Sequence, residues 1–140
     1  MLICEGFEGL EWHGACSSAA AMPNEFAEQL KERTLRFALR VMPFCRTLPN
    51  TWEARWLADQ LFRAASRTAA NYRSTCRARS KREFVAKLET VVEEADESFF
   101  WLMFIGRSGM NETLEQKELL AEARELLAIF IQSSKTARGN

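Results

Sequence analysis

The stretch Lys81-Arg82-Glu83-Phe84-Val85-Ala86-Lys87-Leu88-Glu89-Thr90-Val91-Val92-Glu93-Glu94-Ala95-Asp96-Glu97-Ser98-Phe99-Phe100-Trp101-Leu102-Met103-Phe104-Ile105 decides the fold class. Phe84, Leu88, Val91, Ala95, Phe99, Leu102 and Ile105 recur every three or four positions, which lines them up on one side of a long helix. Neither Pro nor Gly interrupts the run. Ser80 with Glu83 has the spacing of a capping box, so the start of the helix is marked as well. A helix this long needs partners to cover its stripe.

The flanking sequence supplies three. A first helix is expected from about Asn24 to Arg46, with Phe26, Leu30, Phe37, Val41 and Phe44 inward and Asn24 as its cap. Pro43 is expected to bend it or end it early, and Leu48-Pro49 forces an extended exit. A second is expected from about Thr51 to Arg77, capped by Asn50 and burying Leu57, Leu61, Ala64, Ala65, Thr68 and Tyr72. A fourth is expected from about Glu112 to Ser134, capped by Asn111 and burying Leu114, Leu120, Ala123, Leu127 and Phe130. Four long helices with short connections predict an all-α, antiparallel up-down four-helix bundle over residues 23–140.

Composition agrees. The chain has 140 residues and 16.1 kDa, 47% apolar and 27% charged, with 6 Gly and 3 Pro, which fits one helix-rich domain. Residues 1–22 differ. They have no helical period, and Glu5, Glu8 and Glu11 interrupt their apolar residues. No Lys or Arg precedes Lys31, so this is not a secretory signal, and a poorly ordered extension is expected. No apolar run approaches the ~20 residues of a membrane span. The four Cys are far apart and the single His13 lies in the extension. A zinc site, which needs paired ligands at short spacing, is therefore not expected, nor is any other metal or cofactor. The expected location is the cytoplasm, with reduced thiols. With no nucleophile–base pair and no phosphate-binding Gly-rich loop, an enzyme is not expected.

Two features go beyond a plain bundle. Phe99 to Ile105 is apolar all round, more than a water-facing helix needs, so Phe100, Trp101 and Phe104 are expected at a contact between copies of the chain, the alternative being cover by the N-terminal segment. The charges are also segregated. Residues 31–87 carry 14 bases and 4 acids, whereas residues 1–30 carry five acids and no base, and residues 88–140 carry 5 bases and 10 acids. The formal net charge is zero, yet one region is strongly cationic. Its densest part holds Arg73, Arg77, Arg79, Lys81 and Arg82, and Arg63 and Arg67 extend it along the second helix. Several cations within a Debye length of about 10 Å suit a phosphate backbone. Trp52 and Trp56 project onto the same arc and can stack on unpaired bases. The same arc also fits a solvated helix face, or pairing with the acidic helices of a neighbouring subunit. The carboxylates at 93–97 are expected to pair with arginines of the second helix or of a neighbouring subunit, with Asn71 reaching across to one of them.

The ordered series of motifs resembles a known family. Arg33 with Phe37-Ala38-Leu39 and Val41 comes first, then Leu48-Pro49 and Gln60-Leu61-Phe62-Arg63-Ala64-Ala65-Ser66. Ala69-Ala70-Asn71-Tyr72-Arg73, Ala78-Arg79-Ser80, Phe84 with Lys87-Leu88, Glu93-Glu94-Ala95-Asp96-Glu97 and Trp101-Leu102 follow. Over roughly residues 26–131 this is similar to the four-helix-bundle proteins first noted in intervening sequences of bacterial 23S ribosomal RNA genes. The resemblance implies an up-down bundle, a ring-like homopentamer and no enzymatic activity. A related branch, the accessory proteins of diversity-generating retroelements, binds a reverse transcriptase and nucleic acid through a basic surface. Many members carry Glu-Gly after the Ala-rich run of the second helix. Here Asn71-Tyr72-Arg73-Ser74-Thr75 lacks both, which makes the local surface more basic and leaves the branch open. The expected function is therefore an oligomeric bundle binding RNA or single-stranded DNA. The alternative is a scaffold that docks a partner protein such as a reverse transcriptase.

Overall fold

The structure is a computed structural model and describes residues 25–139. The expected extension over residues 1–22, with His13, and the Asn24 cap lie outside the described residues. Four helices make up the domain: α1 (Glu25–Arg46), α2 (Trp52–Thr75), α3 (Lys81–Ser108) and α4 (Leu114–Arg138). At ~1.5 Å per residue they are about 33–42 Å long, and the short links at 47–51, 76–80 and 109–113 reverse the chain each time. Contacts run α1–α2, α2–α3, α3–α4 and α4–α1, so the helices stand in a square with sequence neighbours adjacent. The fold is the all-α antiparallel up-down four-helix bundle that the apolar periods predict. No helix among the described residues is long and apolar enough to cross a membrane.

The stripes of the first three helices meet as expected. Leu30, Phe37, Val41 and Phe44 of α1 close on Leu57, Leu61, Ala65 and Tyr72 of α2 and on Leu88, Val91, Ala95, Leu102 and Ile105 of α3. Burying a Leu- or Phe-sized side chain contributes about 1.5–3 kcal/mol, so these residues dominate stability. Tyr72 packs its ring 5.2 Å from Phe130 of α4, linking diagonal helices across the core.

The face of α4 is a correction. Leu114 is 72% exposed, and Leu120 and Leu127 are only half-buried. Leu119, Leu126 and Ile129 are buried instead, together with Gln116, Ala123 and Phe130. The doublets Leu119-Leu120 and Leu126-Leu127 fit two phases about 100° apart equally well. A polar contact decides between them. Gln116 is buried and its Nε2 donates to the Leu102 carbonyl of α3 at 2.9 Å. Gly106 makes room for it: a Cβ at that position would sit 2.4 Å from Gln116 Nε2.

The helix ends also differ in part. Ser80 caps α3 as expected, accepting from the Glu83 N–H. Thr51, not Asn50, caps α2 by accepting from the Ala54 N–H, and Asn50 instead accepts from Arg55. Thr113, not Asn111, caps α4 by accepting from the Gln116 N–H. Asn111 accepts from the Thr113 N–H and hydroxyl and donates to Thr47, tying the two loops at that end together. Pro43 does not end α1 early. The helix continues to Arg46, because losing one donor to the exposed Leu39 turn costs less than freeing Phe44 from the core.

Candidate nucleic-acid interface

The link from α2 to α3 is rigid in backbone and free in side chain. Cys76 N–H donates to Tyr72, Arg77 N–H to Ser74 and Ala78 N–H to Thr75, each at 3.0 Å. Thr75 and Ala78 are fully buried, pinning the link from beneath, and Lys87 of α3 donates to the Ser74 hydroxyl of α2 at 3.0 Å. From this frame Arg73, Arg77, Arg79, Lys81 and Arg82 all project into solvent. Among the described residues, no carboxylate lies within ion-pair distance of any of these five side chains. Among the described residues the corner therefore carries five adjacent cations without a direct ion-pair partner.

Among the described residues, Glu83 is the acid inside this corner. It accepts from the Arg79 backbone N–H at 2.8 Å and pairs with Lys87 at 3.2 Å. The Arg79 N–H and then Lys87 hold its carboxyl below the ordinary value. Ser80 and Glu83 thus take up two of the backbone donors around the start of α3, those of Glu83 and Arg79.

The other sequence-predicted cations stand apart. Arg63 lies 3.7 Å from Asp59 and Arg67 3.8 Å from Glu94, so each has an acidic neighbour. Glu94 is pushed up from the ordinary carboxylate value, first by burial and then by the charge of Glu97. Its pairing with Arg67 follows the expectation for the acidic run. Asn71 does not: among the described residues its side chain makes no hydrogen bond to that run, and its carbonyl accepts from Thr75 instead.

The tryptophans are not at the corner. Trp52 is 74% and Trp56 50% exposed, but Trp56 stands 17 residues before Arg73, about 26 Å along α2. A wheel projection gives direction and discards height. The Trp56 ring meets Trp101 edge-on at 5.3 Å, and Phe100 and Phe104 surround the same indole. Phe100 and Phe104 remain 43% and 45% exposed, while Trp101 is half-buried by its own protomer. Its Nε1–H is buried without a hydrogen-bond partner among the described residues.

A second apolar face escaped the sequence reading. Leu35, Leu39 and Met42 of α1 and Phe62 of α2 are exposed along a groove of about 470 Å³ floored by Ala38, Ala69 and Ala70. Its signal was present: Leu35, Leu39 and Met42 are spaced i, i+4, i+7, off the core stripe.

Other candidate chemistry is sparse. Cys45 and Cys76 are half-buried free thiols, and burial pushes Cys45 up to about 11, so both stay protonated near neutral pH. Among the described residues no group of three or more His, Cys, Asp or Glu is placed to hold a metal ion.

Among the described residues, fold and surface together define an all-α up-down bundle with a cationic corner and two apolar faces. The chain belongs to the 23S rRNA-intervening sequence protein family, whose pattern matches residues 28–132. It is also similar to a crystal structure, at 1.70 Å, of a protein of unknown function from the S23 ribosomal protein family of Bacteroides thetaiotaomicron. The two superpose with a TM-score of 0.69 at 24% identity, over 76% of this chain and 98% of that one, which establishes a shared fold. No curated protein matches the chain.

Proposed function

We propose that the protein is a non-enzymatic, cytoplasmic bundle that gathers into a ring of copies and binds RNA or single-stranded DNA through the corner of Arg73, Arg77, Arg79, Lys81 and Arg82. Arg63 and Arg67 form its weaker margin. The carrying observation is that these five cations have no carboxylate partner among the described residues, although acids are plentiful elsewhere. Charges left bare on a rigid frame favour a polyanion, because each phosphate contact releases condensed counterions.

Assembly is supported by the two unlike apolar faces. Trp52, Trp56, Phe100 and Phe104 lie on the α2–α3 side, and Leu35, Leu39, Met42 and Phe62 on the α1–α2 side. A contact between unlike faces runs head to tail, and closes into a ring where its rotation divides the full turn. The number five rests on the family resemblance. In a ring the corners repeat around one rim and multiply weak phosphate contacts.

Fluorescence anisotropy with labelled oligouridylate tests the binding. Salt-sensitive association in the micromolar range is expected, and its absence at low salt contradicts the reading. Light scattering tests the assembly: about five times the 16.1 kDa protomer mass is expected, and the protomer mass alone rejects it. An intact oligomer that ignores oligouridylate favours the partner-scaffold alternative.

A further inference from the structure

The chain itself carries an acidic stretch ahead of the bundle. Residues 1–24 carry Glu5, Glu8 and Glu11 and no Lys or Arg, interleaved with Phe7, Leu10 and Trp12. This stretch joins the bundle at Glu25, the first residue of α1. The up-down order places the start of α1 at the same end as the α2–α3 link, and the charges of Glu28 and Lys31 reach the Cys76 thiol there. We propose that the cationic corner is the docking surface of the chain's own residues 1–24, which compete there with nucleic acid. The competition rests on the nucleic-acid reading above, whereas the docking does not.

Charge, reach and tethering support this occupant. The three carboxylates are opposite in sign to the five cations. Several acids of the bundle are committed elsewhere: Glu115 and Glu118 to Arg40, Glu122 and Glu125 to Arg33, and Glu89 to Arg138. Twenty-four extended residues span up to about 80 Å, and neighbouring helix axes stand only about 10 Å apart, so the segment reaches the corner with slack. A short tether holds the acids at an effective concentration of order millimolar, where even weak ion pairing populates the docked form. The apolar residues between the acids add area that leaves water on docking.

Zero-length carbodiimide crosslinking of the full chain tests the docking, because it joins carboxylates only to amines in contact. The expected product links Lys81 to Glu5, Glu8 or Glu11 within one chain and disappears at high salt. Failure to form it, or a link found solely in dimeric species, overturns the docking. Oligouridylate titration of the E5Q/E8Q/E11Q chain tests the competition. Releasing a segment docked about 90% of the time tightens binding about tenfold. Equal affinity of the two chains overturns the competition. If the crosslink forms and neither chain binds oligouridylate, the docking stands and the nucleic-acid reading fails.

Discussion

The α1–α4 seam and the α2–α3 corner are built from the same residue types with opposite outcomes. Along the seam every arginine meets acid. Arg33 donates to both oxygens of Glu122 at 2.7 and 2.9 Å and pairs with Glu125 at 3.0 Å, and Arg40 bridges Glu115 and Glu118 at 3.1 Å. The acids, at i, i+3, i+7 and i+10, form one edge of α4 aimed at α1. These pairs lift the Arg33 and Arg40 guanidiniums above their ordinary value, led by the hydrogen bonds to Glu122 and Glu115. The seam has fewer packed contacts than the other three, and charge pairing supplements it. The corner has the opposite balance: a backbone locked by hydrogen bonds and five cations without an ion-pair partner among the described residues, while the acid there, Glu83, is held by the Arg79 N–H and Lys87. Paired charge closes a protein on itself. Unpaired charge on a rigid frame marks a surface for something else.

That contrast makes reversal at the corner the largest expected effect. Replacing Arg77 and Arg79 by Glu should weaken oligouridylate binding at least about 100-fold at low salt while leaving the melting midpoint nearly unchanged. A loss of stability instead would show that the corner holds the fold rather than a ligand. Arg67→Glu should weaken binding less, since Glu94 already offsets that cation.

Changes at the seam should do the reverse. Arg33→Ala should cost about 1–2 kcal/mol in urea unfolding, because a bidentate, partly shielded pair is broken, with no effect on binding. Arg40→Ala should cost under about 1 kcal/mol, since both partners are exposed. Equal costs would mean that geometry and shielding do not separate the two pairs.

Smaller effects probe the closed parts. Gly106→Ala gains about 1 kcal/mol of helix propensity, but the new methyl displaces Gln116 from the Leu102 carbonyl. The lost hydrogen bond and crowding together outweigh the gain, so a net loss of about 1 kcal/mol is expected by thermal melting. Glu94→Gln should stabilise by a few tenths of a kcal/mol at pH 7. Its carboxyl is raised in the folded state, so its charge opposes folding above that folded value. The gain should fade as pH falls through the folded value toward 4.5, and melts across pH 3–7 check it.

Much of this contrast was legible before any coordinates. The stripes of α1, α2 and α3 each fit one phase, so their cores followed from spacing. The fourth helix did not, because its leucine doublets fit two phases and a polar contact from Gln116 to another helix chose between them. Ser80 announced itself as a cap, whereas Asn50 and Asn111 stood beside better-placed threonines. The corner was visible as a run of cations within ten residues. Its bareness was not, since pairing depends on contacts such as Arg33–Glu122, 89 positions apart. The tryptophans were placed in direction but not in height, so stacking and phosphate contact separate by about 26 Å.

The most direct test is the salt dependence of oligouridylate affinity, measured with the full chain between 50 and 200 mM monovalent salt. With three to five corner cations engaged per protomer, the log–log slope should lie between about −2 and −3.5, and flatten in the Arg77, Arg79 double reversal. A slope near zero, or one unchanged by that reversal, would contradict the account.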